Sequence, residues 1–180
     1  MPRRHLPLPR LWMLTDERQG EGLWDALRQL PRGSGVIVRH YELSLQKREA
    51  LFLSVRRIAK TRRLTVAWSG RERDAVRLGA DAVYGADCRS SRLPRLWPVH
   101  HRIEIVAAER AKADLLLLSP VFPTRSHPGS AGLGVVRFGL LTRGISTPVI
   151  ALGGMTQLRT KRLAGLDVQG WAAIDAWIRT

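Results

Sequence analysis

The chain holds a single cysteine, Cys88, among 180 residues. It can therefore form no internal disulfide and no cysteine-built metal site, and no role is expected for that thiol. No apolar run approaches the roughly 18 residues that a membrane-spanning helix needs. Prolines also interrupt the opening "MPRRHLPLPRLW" where a secretory leader would need an unbroken apolar stretch. A soluble, cytoplasmic protein with no membrane partner is expected. Acidic residues are scarce: 15 Asp and Glu stand against 30 Lys and Arg, a formal charge of +15. Lysine is rare too, present only as Lys47, Lys60, Lys112 and Lys161, so arginine carries the excess. The arginines are scattered and run no longer than pairs such as Arg62-Arg63. A diffuse coat of this kind does not point to nucleic acid, although its field favours anionic small molecules. A dinucleotide turn is missing as well, because "TDERQGEG" (15–22) lacks the glycine spacing that such a site requires.

What is present is a regular alternation. Apolar runs at 11–16, 35–40, 63–69, 81–85, 96–100, 114–119, 147–154 and 170–177 read as eight strands. Helical stretches lie between them: 23–30, 43–60, 71–79, 102–112, 135–143 and 156–165. In the second of these, Leu43, Leu51, Val55 and Ile58 form the apolar face. "LGAD" (78–81), "AKAD" (111–114) and "AGLD" (164–167) recur where a helix gives way to a strand, which marks one repeated helix-strand unit. Strands apolar throughout belong in a parallel sheet covered by helices. Eight of them in one domain spanning 1–180 suit a compact (β/α)8 barrel with short loops and a trimmed C-terminus, below the usual size of about 250 residues. An open doubly wound sheet is the runner-up.

The segments "LWMLTD", "VIVR", "LGADAVYGAD", "ERAKADLLLLSPVFPT" and "TPVIALGGM" occur in an order that resembles the thiamine phosphate synthase family and its thiazole tautomerase (TenI-like) relatives. "SPVFPT" together with "PVIALGGM" is the more specific part of the likeness. The resemblance implies an eight-stranded β/α barrel. It also implies a phosphorylated thiazole-type ligand and, where synthase chemistry is retained, Mg2+ that helps pyrophosphate leave a pyrimidine pyrophosphate; otherwise no cofactor is expected. The loop "PTRSHPG" (123–129) would then offer the hydroxyls of Thr124 and Ser126 and a charge from Arg125 or His127 to the pyrophosphate, and Gly153 and Gly154 would seat the thiazole phosphate at a helix N-terminus. His100 matches the histidine that moves a proton in the tautomerase branch, a task suited to an imidazole.

Several family positions are altered. On the second strand the family's Gln, Arg and Lys fall on Ile37, Arg39 and Tyr41, so only Arg39 is kept. The Asn-Asp pair after the third strand falls on Ser69 and Gly70, and glycine offers a metal no side-chain oxygen. Asp87 stands as the remaining metal candidate. The phosphate-loop lysine falls on His127, Pro98 replaces a serine, and Asp175 stands where a serine would meet phosphate. A carboxylate there repels phosphate unless a cation intervenes or the side chain points away. The expected function is binding of a phosphorylated thiazole-type ligand with the magnesium and pyrophosphate site reduced. An active synthase and a noncatalytic binding or regulatory protein are the alternatives, and a homo-oligomer is compatible with the sequence.

Overall fold

The computed structural model describes residues 7–86, 92–125, 129 and 131–178. Eight strands close a barrel in chain order: β1 (Leu11–Leu14), β2 (Gly35–Val38), β3 (Thr65–Ser69), β4 (Ala82–Tyr84), β5 (Arg95–Val99), β6 (Leu115–Leu118), β7 (Val149–Ala151) and β8 (Gly170–Ala173). Every neighbouring pair is parallel, and β8 closes on β1 through Leu11↔Trp171. Six helices cover the outside: α1 (Gly22–Gln29), α2 (Leu45–Arg62), α3 (Glu72–Leu78), α4 (Arg102–Arg110), α5 (Gly134–Thr142) and α6 (Gln157–Thr160). The barrel reading holds, and the open sheet is set aside. All eight expected strands form; β1, β2, β7 and β8 stop short of their apolar runs, whose last residues turn into loop at the barrel mouth, while β3 begins two residues late and β5 is displaced by one.

Alternation along the strands divides the core into three parts. Trp12, Leu14, Ile37, Leu96, Leu115, Leu117 and Ile150 fill the barrel interior. Met13, Val36, Val38 and Trp68 point outward under α1–α3, and Val99, Leu116, Leu118 and Phe138 pack on the opposite side. Such a fully buried side chain is worth about 1.5–3 kcal/mol of burial. Trp12 plugs the barrel because its partner across the ladder is Gly35, where a Cβ would overlap the indole. The face of α2 differs from expectation. Phe52, Val55 and Ala59 are buried, Leu51 and Ile58 only partly so, and Leu43 lies before the helix, because Phe52 packs edge-on against Trp68 at 5.4 Å.

The repeated aspartates have a structural task. Asp81 Oδ2 accepts from the backbone N–H of Val66 at 2.8 Å, and Asp114 Oδ2 does the same for Arg95, each at the foot of the preceding strand. Each side chain thereby extends the ladder by one bond where the strand begins. At the third joint Asp167 is exposed, and only the backbone bond remains, Gln169 N–H donating to Val149 O at 2.9 Å as Asp81 and Asp114 N–H do to Val66 O and Arg95 O. The last helical stretch also departs from the sequence reading: α6 has four residues and passes into a 3-10 turn at Lys161–Leu163. Among the described residues no helix is long and apolar enough to cross a membrane.

Candidate functional site

A cavity of about 450 Å³ opens at the carboxyl ends of the strands, the end of a β/α barrel where strand-to-helix loops gather. Its wall is uneven. Most of it comes from β5 to β8 and the loops that follow them, with Arg39 and Tyr84 as the contributions of β2 and β4. Of the residues singled out from sequence, His100, Arg39, Thr124, Arg125, Gly153 and Gly154 meet at this cavity. Ser126, His127 and Asp87 lie outside the described residues.

The loops after β6 and β7 are bound to each other. Val121 N–H donates to Leu152 O at 2.9 Å and Phe122 N–H to Gly153 O at 3.1 Å. Gly153 and Gly154 take φ values of +93° and +61°. A Cβ on Gly153 would lie 2.6 Å from Pro120 Cα, and one on Gly154 2.5 Å from Pro123 O. Only glycine allows both the left-handed backbone and this approach. Among the described residues the N–H groups of Gly153 and Gly154 have no protein acceptor. Beside them Thr156 caps α6 through its hydroxyl. Arg159, a cavity residue absent from the sequence reading, donates from Nη1 to Gly154 O at 2.5 Å with its guanidinium 5.3 Å from the Phe122 ring centre. The four residues of α6 give a much smaller dipole than a full helix would, so amides and arginine supply most of the positive potential here. The sequence signal for Arg159 is its place five residues beyond the second glycine, where the chain turns back toward that glycine's carbonyl.

Asp175 also lines the cavity, and the cation that a neighbouring phosphate would require is in place: Arg125 Nε lies 3.9 Å from Asp175 Oδ2. The arginine side chain is 75% exposed and the aspartate 34%, so this is a loose pair of small net worth. Across the cavity His100 follows β5, 48% exposed, with Glu104 Oε2 3.1 Å from its Nδ1. His101, which caps α4, does not line the cavity. Tyr84, a buried residue of the barrel interior, lines the cavity from β4, its hydroxyl pushed up to about 12 by burial, with Tyr41 adding to the rise and Arg39 opposing it. It remains a protonated phenol.

The β1–β3 side of the mouth is occupied by the protein's own pairs. Arg39 Nη2 is 3.2 Å from Asp16 Oδ2, and its Nε donates to Thr15 O. Burial pushes the Asp16 carboxyl up, but hydrogen bonds from Arg18 and the charges of Arg18 and Arg39 outweigh it and hold the group below its ordinary value. The Tyr41 hydroxyl and Ser69 Oγ bond at 2.6 Å. Arg48 lies 4.4 Å from the Trp68 ring centre, with Nη2 3.4 Å from where a side chain on Gly70 would begin. Ile37 is fully buried within the barrel. The side chains described at the Ser69–Gly70 corner thus offer hydroxyls and a guanidinium. They do not fit a magnesium ion, which favours carboxylate and phosphate oxygens.

Comparison with known proteins agrees with this geometry. The sequence profile described as "Thiamine monophosphate synthase" matches residues 12–177. The chain is 29% identical over 185 residues to the "Putative thiamine-phosphate synthase 2" of Aquifex aeolicus, covering 96% of this chain and 100% of that protein. It is 27% identical to the "Thiamine-phosphate synthase" of Chlorobium phaeobacteroides, covering 96% and 89%. The thiamine phosphate pyrophosphorylase structure from Pyrococcus furiosus superposes with a TM-score of 0.78 at 22% identity, over 94% of this chain and 86% of that one. A KDPG aldolase from Legionella pneumophila shares the barrel at a TM-score of 0.66 and 12% identity, over 94% and 84%. The aldolase likeness is one of fold alone, whereas the profile runs from β1 past β8, and on that evidence the chain belongs to the thiamine monophosphate synthase family.

Proposed function

We propose that this protein binds a phosphorylated thiazole-type ligand in the cavity over β5–β8 and that the magnesium and pyrophosphate half of the family's site is reduced. The observation that carries the reading is the pair of consecutive amides at Gly153 and Gly154, without protein acceptors, beside Arg159. Phosphate oxygens would accept from those N–H groups and from the guanidinium, charge-assisted bonds of the stronger kind. Thr124 and Arg125 close the phosphate end, with Arg125 screening Asp175. The thiazole ring then extends toward His100 and Pro98, where an imidazole can exchange a proton with the ligand. Metal chemistry has little support on the other side, where Tyr41, Ser69 and Arg48 fill the corner.

Active synthase is the second reading, favoured by Arg39, which lines the cavity although it is bound to Asp16. One pair of measurements separates the readings. Calorimetry with thiazole phosphate in EDTA should show binding, and the unphosphorylated thiazole alcohol should bind far more weakly; equal affinity for the two would sink the phosphate seat. Adding magnesium and hydroxymethylpyrimidine pyrophosphate should yield no thiamine phosphate. Formation of that product at a steady rate would replace the proposal with the synthase reading.

A further inference from the structure

Two histidines meet one carboxylate at the head of α4. Glu104 Oε2 accepts from the backbone N–H of His100 at 2.5 Å and lies 3.1 Å from its Nδ1. Burial pushes the Glu104 carboxyl up, but these two hydrogen bonds and the charges of His100 and His101 outweigh it and keep the group below its ordinary value. An ionised carboxylate only accepts, so His100 must carry a proton on Nδ1 for the contact to be a hydrogen bond. His101 is turned the other way. Its Nδ1 accepts from the backbone N–H of Glu104 at 3.4 Å, which caps the helix, and its Nε2 lies 3.5 Å from Glu104 Oε1. An accepting Nδ1 is bare, so the neutral ring has its proton on Nε2.

We infer that Glu104 is a positioning residue that fixes the two neighbouring histidines as opposite tautomers, His100 protonated on Nδ1 and His101 on Nε2. Nδ1 of His101 is then taken up by the helix cap, while its Nε2 only faces Glu104 Oε1. His100 keeps Nε2, which has no partner among the described residues, as a free lone pair on a residue that lines the cavity. Fixing a tautomer through the far nitrogen is how a carboxylate readies an imidazole as a base.

The consequence rests on the reading that His100 acts on the ligand. Nε2 takes a proton from one ligand atom while the bonding electron pair stays in the ligand, the imidazolium is held against Glu104, and Nε2 returns the proton to a second ligand atom. The outcome is an isomerisation that consumes nothing. The other charged or titratable groups that line the cavity are Arg39, Tyr84, Arg125, Arg159 and Asp175, and Glu104 and His101 stand behind His100. With its hydroxyl near 12, Tyr84 does not compete as the base.

Long-range proton–nitrogen spectra of the 15N-labelled full chain, recorded about two pH units above the ordinary histidine value, test this directly. His100→Gln and His101→Gln assign the signals. His100 should show a protonated Nδ1 and a bare Nε2, and His101 the reverse. In Glu104→Gln the side-chain carbonyl can still accept, and the pattern should persist. In Glu104→Ala, and in Glu104→Asp where the carboxylate is drawn back, His100 should shift toward the Nε2–H form that solvated histidine prefers. A wild-type His100 protonated on Nε2 would overturn the inference, as would an unchanged His100 signal in both the Ala and Asp variants. No ligand is needed. Failure of thiazole phosphate to bind would sink the proposed ligand yet leave the tautomers as read, and reversed tautomers would remove the positioning role while leaving the phosphate seat standing.

Discussion

The two halves of the barrel mouth both carry polar side chains and use them differently. On the β1–β3 side they satisfy one another: Arg39 with Asp16, Tyr41 with Ser69, and Arg48 on Trp68. On the β6–β8 side the amides of Gly153 and Gly154 have no protein acceptor among the described residues, and Arg125 and Arg159 are held loosely or by a carbonyl. An arginine already paired with a carboxylate adds little potential for a ligand. A net charge of +15 therefore says less about binding than the count of cations left available.

Gly153→Ala should break the comparison most severely. The added methyl would sit 2.6 Å from Pro120 Cα on a backbone at φ +93°. Left-handed strain of about 1–2 kcal/mol and overpacking of about 1–3 kcal/mol together predict a clear fall in thermal midpoint and loss of thiazole phosphate binding. A midpoint and an affinity both at wild-type level would show that the two loops are not locked as described. Arg159→Ala comes next. Losing a hydrogen bond to a charged group costs about 1.5–3 kcal/mol, so calorimetry should show affinity for thiazole phosphate about 10- to 100-fold weaker, with the unphosphorylated alcohol unaffected. An equal loss for both ligands would mean that Arg159 shapes the loop and does not read the phosphate.

The contrast between the halves was only partly legible in the sequence. Strand order was legible because parallel barrel strands are apolar along their whole length, as in "LLLL" of β6 and "GVIV" of β2. The glycine turn after β7 was legible too, since Gly153-Gly154 leaves a mark in the chain itself. Pairing across loops leaves none. Tyr41 and Ser69 stand 28 residues apart, and nothing local to either announces their bond. The same holds for Arg125 and Asp175, whose partnership answers a question that the sequence could only pose. Arg159 is marked in the chain only by its place five residues beyond Gly154, and that place becomes a cavity position only because α6 ends so abruptly. In α2, helical spacing located the apolar face only approximately, since Trp68 on the neighbouring strand selects Phe52 as the contact.

The closed side makes the smallest prediction, and it concerns pH. His40 is buried, and its Nδ1 lies 2.8 Å from the hydroxyl of Thr15, which also accepts from the Arg39 N–H. Burial is the largest influence on the imidazole and holds it below its ordinary value, with Arg39 adding to the fall while Glu17 and Asp16 oppose it. A depressed histidine favours the neutral ring in the folded state. Its contribution to stability is therefore complete above the unfolded value, about 6.5, and drains away as pH falls through that value toward the lower, folded one. Asp16, also depressed, adds a second loss only when pH falls below the ordinary aspartate range. Denaturant midpoints should thus decline between about pH 7.5 and pH 5. His40→Asn, which tolerates the positive φ of 37° at this position, should flatten that slope and leave the loss at lower pH in place. If the variant declines as steeply as the wild type over the upper range, His40 is not the group whose protonation destabilises the fold.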